Sequence, residues 1–446
     1  MRGSPLDLSK VVIVGYGVSG QAAHQVLEDL GSEVIIVEDS GDSTLRKLAI
    51  SRFAVGVFRS EEIPQVIDAD WPGVVVVSPG VRPSHVAFRY FNAPVISELE
   101  LGWRLTDLSV VAITGTNGKT TVTTLVSSML NQSSLNSIPC GNYGTPLVSL
   151  AGAQGWAVVE ASSFQLSTIS EFAPDVAAIV NVTPDHLDWH GGFENYLQAK
   201  LRILENLGSD SFGIIPIDFA WRPTPESFHS FTFGNIEGDF FASETELISP
   251  IGVIAAKSDL KKALPHDILN FLAASACAVS SGASLDAIGY ACCEFGGLEH
   301  RMEVVAEFQG MRFINDSKAT TPASVVAGLS GLGRCVLIAG GRNKGLDFEP
   351  LLSLGEKLAG IVVIGESADD LVGLFAGVLE SSRIIRAESM AEAVRAGYGL
   401  SDNECDVILS PGATSFDWYS GYEQRGLDFK DCVSGLVNSL RGDAWN

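Results

Sequence analysis

The residues with the clearest chemistry lie at 109–121, which read SVVAITGTNGKTT. An apolar run leads into a glycine turn, which is followed by a lysine and two threonines. This order predicts a buried strand, a phosphate-binding turn and a helix whose N-terminal dipole faces an anion. The lysine supplies charge for the β- and γ-phosphates, and a threonine hydroxyl can bind Mg²⁺. We therefore expect a nucleoside triphosphate to contact Gly115, Thr116, Asn117, Gly118, Lys119, Thr120 and Thr121.

This phosphate loop departs from the usual eight-residue pattern at one position. The pattern has a glycine where Ile113 stands, so the chain carries the shorter GTNGKT form. The alternative interpretation is a glycine turn followed by an incidental lysine. The apolar run before the turn and the segment TVTTLVSSML after it favour the phosphate loop, because they supply the strand and the helix that it needs.

A second glycine-rich turn lies near the start of the chain. Gly15, Gly17 and Gly20 form a GxGxxG pattern after an apolar run, and the next predicted strand, EVIIVED, ends on Glu38 and Asp39. Such a unit is typical of nucleotide binding, with the acidic pair placed to meet a ribose hydroxyl. The motif alone leaves open whether the nucleotide is NAD or another one.

Three residues beyond the phosphate loop are candidates for the same site. Glu160 ends a predicted strand about 40 residues after the loop, where a carboxylate can hold Mg²⁺ beside a triphosphate. His186 follows the next strand, and Lys200 lies on a helix predicted over 193–208. From the residues alone, His186 also fits a packed turn, and Lys200 also fits a solvated helix face.

Strands alternate with helices along most of the chain, which predicts parallel sheets covered on both faces. We expect an α/β protein of three domains: a Rossmann-like unit at 1–97, a central, mostly parallel P-loop ATPase-type sheet at 98–300, and a second Rossmann-like unit at 301–446. Residues 209–260 show no regular pattern and are expected to be irregular. The first nine residues are expected to be a flexible lead-in.

The composition argues against several classes of protein. The net charge is −24, from 53 acidic and 29 basic residues, so we expect no nucleic-acid partner. The seven cysteines are scattered without a CxxC pair, which indicates reduced thiols. The first residues do not resemble a signal peptide, and no apolar run reaches the roughly 18 residues of a membrane span. We expect a cytoplasmic protein with small-molecule partners, no membrane partner and, by default, a monomeric state.

Nine short motifs follow one another in a fixed order. They are GTNGKTT at 115–121, GNYGTP at 141–146, EASSFQL at 160–166, NVTPDHLD at 181–188, YLQAK at 196–200, EHR at 299–301, NDSKAT at 315–320, GGRNKGLDF at 340–348, and SPGATSFD with EQRG at 410–426. Together they resemble the Mur ligase family, which makes the peptide stem of bacterial peptidoglycan. The resemblance implies an ATP-dependent amide ligase that works through an acyl phosphate. It is nearest to the members that add D-glutamate to UDP-N-acetylmuramoyl-L-alanine, since the DNPR-like motif of the diamino-acid-adding member is missing from the sequence.

The resemblance also implies roles for matching residues. The catalytic set would be Lys119, His186, Lys200 and Arg301. Two Mg²⁺ ions would be held by Thr120, Glu160, His186 and Lys200. Lys200 would be carbamylated, which turns a cationic amine into an anionic oxygen ligand. ATP would contact the phosphate loop together with Asn270, Arg301 and Asp316.

The other two substrates have implied residues of their own. UDP, rather than NAD, would lie on the N-terminal unit. The UDP-linked substrate would contact Val18, Ser19, Gly80, Asn142, Ser163, Phe164 and Gln165. The incoming amino acid would contact Lys318, Thr320, Lys344, Ser415 and Tyr422, with the lysines pairing with its carboxylates. The chain departs from the family at Glu38–Asp39–Ser40, where a basic residue after the aspartate is common, and at Tyr422, where Phe is common.

Two alternatives stay open at this point. Another family member would add L-alanine to the muramate or glutamate to a folate, although the NDSKAT and EQRG motifs favour the D-glutamate enzyme. A catalytically silent nucleotide-binding regulator would keep the fold, although the intact Lys119, Glu160 and Lys200 favour an enzyme.

Overall fold

The chain forms α/β layers around three β-sheets in the computed structural model, which describes residues 2–39, 43–52, 54–220, 228–329, 331–343, 346–402 and 405–443. The chain divides into two compact units, Met1–Phe295 and Gly296–Asn446. The first unit contains two of the sheets and the second unit contains the third. Each sheet has buried apolar residues on both faces, which confirms the predicted α/β class.

The first sheet consists of short apolar strands that all run parallel. Its described strands are β1 (Lys10–Val14), β2 (Glu33–Val37), β3 (Gly56–Phe58), β4 (Val74–Val77) and β5 (Val95–Ser97). The helices of this segment are α1 (Val18–Asp29), α2 (Ser43–Ser51), α3 (Ile63–Val66), α4 (Ala87–Tyr90) and α5 (Glu98–Leu105). The strand order is β3-β2-β1-β4-β5, so the glycine turn after β1 lies at the middle of the carboxyl edge.

The second sheet carries the phosphate loop. Its described strands are β6 (Ser109–Thr114), β7 (Ser137–Gly141), β8 (Trp156–Glu160), β9 (Val176–Ile179), β10 (Phe212–Pro216), β11 (His229–Gly234), β12 (Phe240–Ala242), β13 (Glu246–Ser249) and β14 (Gly252–Ala256). The helices are α6 (Lys119–Gln132), α7 (Ser163–Leu166), α8 (Leu187–His190), α9 (Phe193–Leu201), α10 (Pro265–Ser280) and α11 (Leu285–Glu294). The order is β14-β13-β12-β11-β10-β9-β6-β8-β7, with β6 paired in parallel to both β8 and β9. The loops after these three strands therefore share one edge.

The third sheet forms the core of the second unit. Its described strands are β15 (Glu303–Phe308), β16 (Met311–Asn315), β17 (Cys335–Gly340), β18 (Leu358–Ile364), β19 (Ile384–Arg386) and β20 (Asp406–Leu409). The helices are α12 (Pro322–Leu329), α13 (Ala368–Phe375), α14 (Met390–Leu400) and α15 (Tyr422–Asp443). The order is β15-β16-β20-β17-β18-β19, and only β15 runs antiparallel among the described strands. No helix in the described ranges has both the length and the apolarity needed to cross a bilayer.

Residues 209–260 differ from the prediction of irregular structure, because they contain β10 to β14. These strands are three to six residues long, too short for a clear alternation of apolar and polar side chains. The register also shifts between Leu247 and Ile248, which breaks the period. The helix predicted over 193–208 is shorter than expected, since α9 ends at Leu201 and only a 3₁₀ turn follows.

The prediction that the N-terminal residues form a flexible lead-in is wrong. Arg2 N donates to Arg104 O at 2.9 Å, and Arg104 Nη1 donates to Ser4 O at 2.7 Å. Arg104 is buried and pairs with the buried Glu100 at 2.7 Å. The Glu100 carboxylate also accepts backbone N–H groups of residues 170–172. This network fixes α5, the helix that connects the first sheet to the second.

Candidate active site

The phosphate loop lies between β6 and α6, as the sequence predicts. Gly118 has a φ of +80°, and a Cβ at this position would lie 2.5 Å from Asn270 Oδ1. A side chain at 118 would thus be strained and would clash, so this position requires glycine. Lys119 Nζ donates to Gly115 O at 3.0 Å and to Thr116 O at 2.9 Å, which holds its positive charge against the loop.

Asn181 fastens this loop, a role that the sequence analysis did not assign. Its Oδ1 accepts the backbone N–H groups of Thr116 (3.1 Å) and Asn117 (2.9 Å). Its Nδ2 donates to Asn117 O at 3.0 Å. The only signal in the sequence is an asparagine shortly after a buried strand, at the start of NVTPDHLD.

Glu160 links the phosphate loop to β7. Its Oε2 accepts a hydrogen bond from Thr120 Oγ1 at 2.7 Å, and its Oε1 accepts one from Asn142 Nδ2 at 2.7 Å. Glu160 and Thr120 are both buried. Asn142, expected at the substrate, therefore contacts the expected metal ligand.

This oxygen-rich pair fits Mg²⁺, which in phosphate sites takes one or two carboxylates and completes its shell with phosphate oxygens and water. The described residues contain no cluster of three His, Cys, Asp or Glu side chains that would hold a metal by themselves. A cation here would accordingly depend on substrate oxygens.

Lys200 reaches the same loop from α9. It is 1% exposed, and its Nζ donates to Gly115 O at 2.6 Å and lies 3.5 Å from Thr114 Oγ1. Burial, reinforced by the positive charge of Lys119, lowers the pKa of Lys200 to about 7. A substantial fraction of this amine is therefore neutral, and nucleophilic, at neutral pH.

Tyr196 is a second residue that the sequence analysis missed. Its hydroxyl lies 3.0 Å from Thr116 Oγ1, and Lys200 Nζ lies 4.7 Å from the centroid of its ring. One buried side chain therefore contacts both the phosphate loop and the lysine, and burial raises the pKa of Tyr196 to about 12. Its place in YLQAK, one helical turn before Lys200, is the signal that could have identified it.

His186 stands apart from this cluster. It precedes α8 with a φ of +50°, its side chain is about half exposed, and its Nε2 lies 3.5 Å from Asp185 Oδ2. Its ring contacts Phe164, with centroids 4.8 Å apart. Within the described part of the chain, His186 makes no hydrogen bond or ion pair with Glu160 or Lys200.

Comparison with known proteins identifies the family to which this site belongs. The family model described as the Mur ligase middle domain matches residues 113–278, and the one described as the Mur ligase, glutamate ligase domain matches residues 300–414. A UDP-N-acetylmuramoylalanine–D-glutamate ligase of Alkaliphilus oremlandii is 34% identical, covering 97% of this chain and 99% of the relative. A ligase of the same name from Pelotomaculum thermopropionicum is 35% identical, covering 96% and 98%.

The chain belongs to the Mur ligase family. The fold agrees, since a crystal structure of MurF from Acinetobacter baumannii superposes with a TM-score of 0.59 at 20% identity, covering 90% of this chain and 91% of that one. The family resemblance predicted from the nine motifs is thus confirmed.

The residues that were expected to contact UDP lie around the first glycine turn of this Mur ligase. Val18 begins α1 and is 72% exposed, with Ser19 beside it. Gly80 lies in the turn after β4, where an added Cβ would meet no atom within 4 Å. Glu38 is buried, and its Oε2 accepts a hydrogen bond from Tyr16 N at 2.6 Å, so this carboxylate also supports the glycine turn.

The expected substrate residues on and near α7 have internal partners. Gln165 is 1% exposed and accepts from Ser162, which caps the helix. Ser163 Oγ lies 3.1 Å from Nε2 of His190, and the ring of His190 stacks on Phe164. His190 received no role from the sequence, yet it connects two of the residues that did.

In the second unit, the expected amino-acid residues gather at the carboxyl ends of β16 and β20. Lys318 Nζ donates to Tyr422 Oη at 2.7 Å. Ser415 is buried, and Thr320 N donates to Lys318 O at 2.9 Å. Lys344 lies outside the described residues.

Two residues of this unit were expected to contact ATP. Arg301 lies shortly before β15, and Asp316 follows β16. Asp316 is buried and accepts Ser410 Oγ at 2.7 Å and Met302 N at 3.3 Å. Arg301 is half-buried, and its N–H donates to Leu298 O at 3.2 Å.

Proposed function

We propose that this protein joins D-glutamate to UDP-N-acetylmuramoyl-L-alanine with the conversion of ATP to ADP and phosphate, in the cytoplasmic synthesis of peptidoglycan precursors. The named relatives and the family support a ligase. The observation that carries the proposal is the meeting of Lys119, Lys200 and the Thr120–Glu160 pair at one phosphate loop.

The reaction has two steps. The carboxylate of the muramoyl-linked L-alanine attacks the γ-phosphorus of ATP, which forms an acyl phosphate and releases ADP. The amine of D-glutamate then attacks the acyl carbon, a C–N bond forms, the amine loses a proton and phosphate leaves. Both reactants of the first step are anions, so the site must supply positive charge.

Within the first unit, Lys119 supplies that charge at the β- and γ-phosphates, and Asn181 keeps the loop in the shape that receives them. Thr120 and Glu160 would hold one Mg²⁺, and the family resemblance assigns a second ion to His186 and a carbamylated Lys200; these ions when bound would neutralise phosphate charge. The neutral amine of Lys200 can attack CO₂, forming an N–C bond and releasing one proton. The resulting carbamate offers anionic oxygens where the free amine offers none.

The remaining roles are assigned by the family resemblance and by position. Val18, Ser19 and Gly80 serve the UDP moiety, while Lys318 and Ser415 face the acceptor amino acid. Arg301 and Asp316 serve the ATP side. The functional division at 1–97, 98–300 and 301–446 is part of the same proposal.

The deciding experiment measures ATP-dependent phosphate release with UDP-N-acetylmuramoyl-L-alanine, Mg²⁺, bicarbonate and a panel of D- and L-amino acids. The expected result is that phosphate is released with D-glutamate and with no other amino acid of the panel. Release with a different amino acid would reassign the acceptor and keep the ligase, whereas silence with every acceptor would favour a regulator.

Two variants connect the assay to the site. Lys119→Ala should abolish turnover, while Lys261→Ala, a half-exposed surface lysine paired with Glu294, should leave it unchanged. Lys200→Ala should be inactive and should recover partly when short carboxylic acids are added. Full activity of Lys119→Ala would remove the phosphate loop from the mechanism.

A further inference from the structure

Arg425 is a buried cation at the start of α15 in the EQRG motif. It is 1% exposed, and its guanidinium donates to Ser317 Oγ (3.0 Å), Ser317 O (2.9 Å) and Ala413 O (3.1 Å). All three acceptors are neutral. Within the described residues no carboxylate lies at ion-pair distance from Arg425.

This placement is unfavourable for stability in two ways. A buried charge without a direct ion pair carries a large desolvation cost, which the charge of Asp417 offsets in part, and the first turn of a helix repels a cation. Burial lowers the pKa of Arg425 to about 10, so the group is still charged at neutral pH. A second fully buried arginine among the described residues, Arg104, forms a direct ion pair with Glu100 at 2.7 Å, whereas Arg425 forms none.

The hydrogen bonds of Arg425 join two loops that follow neighbouring parallel strands. Ser317 follows β16 and Ala413 follows β20, and the loops also meet through Gly412 N, which donates to Ala319 O at 2.9 Å. Lys318 is the residue after Ser317, and Ser415 is two residues after Ala413. The expected contacts of the amino acid are thus carried by the two segments that Arg425 connects.

We propose that Arg425 is a positioning residue of the acceptor site: it fixes the loops that carry Lys318 and Ser415. This inference rests on the proposed function, because that function supplies the acceptor. Binding of the acceptor amino acid therefore depends on Arg425 through the placement of these two side chains.

The test compares Arg425→Gln, which removes the charge, with Arg425→Lys, which keeps it. Arg425→Gln should raise the KM for D-glutamate by about tenfold to a hundredfold, the size expected when the hydrogen bonds of a charged group that hold the two loops are lost. Its kcat should change by less than about threefold, and the KM values for ATP and the UDP substrate by less than about twofold. Arg425→Lys should recover part of the loss. Arg386→Gln, a half-exposed arginine of the same unit paired with Asp369, is the control and should leave all constants unchanged.

A second readout separates positioning from damage to the fold. Acyl phosphate is trapped with hydroxylamine in the absence of D-glutamate, and Arg425→Gln should form it at the wild-type rate. An unchanged KM for D-glutamate in both variants would overturn the proposal, as would a parallel loss of trapping, of kcat and of melting temperature. If Arg425→Gln does not fold, Arg425→Lys decides by the same split between KM and kcat. Failure of the wild-type protein to use D-glutamate would instead count against the proposed function.

Discussion

The burial of Lys200 predicts how the stability of this protein changes with pH. In the folded chain its pKa is about 7, whereas an exposed lysine in the unfolded chain has the ordinary value of 10.5. Between these two values the unfolded state binds more protons than the folded state, so the free energy of unfolding rises with pH. The cost of burying the ammonium is full at and below pH 7 and disappears above about pH 10.5.

Lys200→Met removes this titration and keeps a side chain of similar length. Within the window, each pH unit changes the unfolding free energy by about 1.4 kcal/mol for one proton. From about pH 7.5 to about pH 9.5, the wild-type protein should therefore gain about 2 kcal/mol over the variant. Near pH 7.5 the variant should be the more stable protein, because the desolvation cost exceeds the contribution of the hydrogen bond to Gly115.

The measurement is urea unfolding followed by circular dichroism across this pH range, in buffer free of CO₂. Lys261→Met, which alters a half-exposed lysine, is the control and should run parallel to the wild type. Bicarbonate added near pH 8 should then stabilise the wild type and leave Lys200→Met unchanged, because a carbamate that forms only on the folded chain acts as a bound ligand. Parallel pH curves for wild type and Lys200→Met would refute the assignment of a buried, mostly neutral lysine.

Three further predictions concern the phosphate loop and the Arg104–Glu100 pair that fixes α5. Gly118→Ala should weaken ATP binding at least about a hundredfold in calorimetry, because the φ of Gly118 is positive and the side-chain oxygen of Asn270 occupies the space of a Cβ. Gly208→Ala changes a glycine with open space around an added Cβ and should bind ATP normally. Asn181→Ala should raise the Kd for ATP by about tenfold, since it removes all three side-chain hydrogen bonds to the loop and leaves the Asn117 N–H without this acceptor. Unaltered binding would show that the loop keeps its shape without this side chain. Arg104→Met should lower the unfolding free energy by about 3–5 kcal/mol in denaturant titrations, because it leaves the buried Glu100 carboxylate without its cationic partner.

The parts of the fold that the sequence predicted are those in which one physical signal dominates. The strand before Gly115 and the helix after Lys119 are marked by an apolar run and a glycine turn, and both begin and end near the predicted residues. The strands in 209–260 were missed because short strands on one sheet edge carry little periodicity. Arg2 was misjudged because its partners are a hundred residues away or more, and no local pattern reports them.

The residues of the candidate site also separate into those with a strong signal in the sequence and those without one. Lys119, Thr120 and Glu160 were predicted because the chemistry of a phosphate loop demands them, and the structure brings them together. Asn181 and Tyr196 were not predicted, since they act by holding the loop, and ordinary asparagine and tyrosine residues elsewhere look the same in a sequence.

The carbonyl oxygen of Gly115 accepts hydrogen bonds from both Lys119 and Lys200, at 3.0 Å and 2.6 Å. A change of charge or of covalent state at one of these amines therefore alters the environment of the other. Thermodynamic linkage then requires two factors to be equal: the factor by which CO₂ uptake changes the affinity for ATP, and the factor by which ATP changes the affinity for CO₂. Under the proposed carbamylation of Lys200, the two occupancies form one linked equilibrium, and the concentration of dissolved carbon dioxide would then affect nucleotide binding.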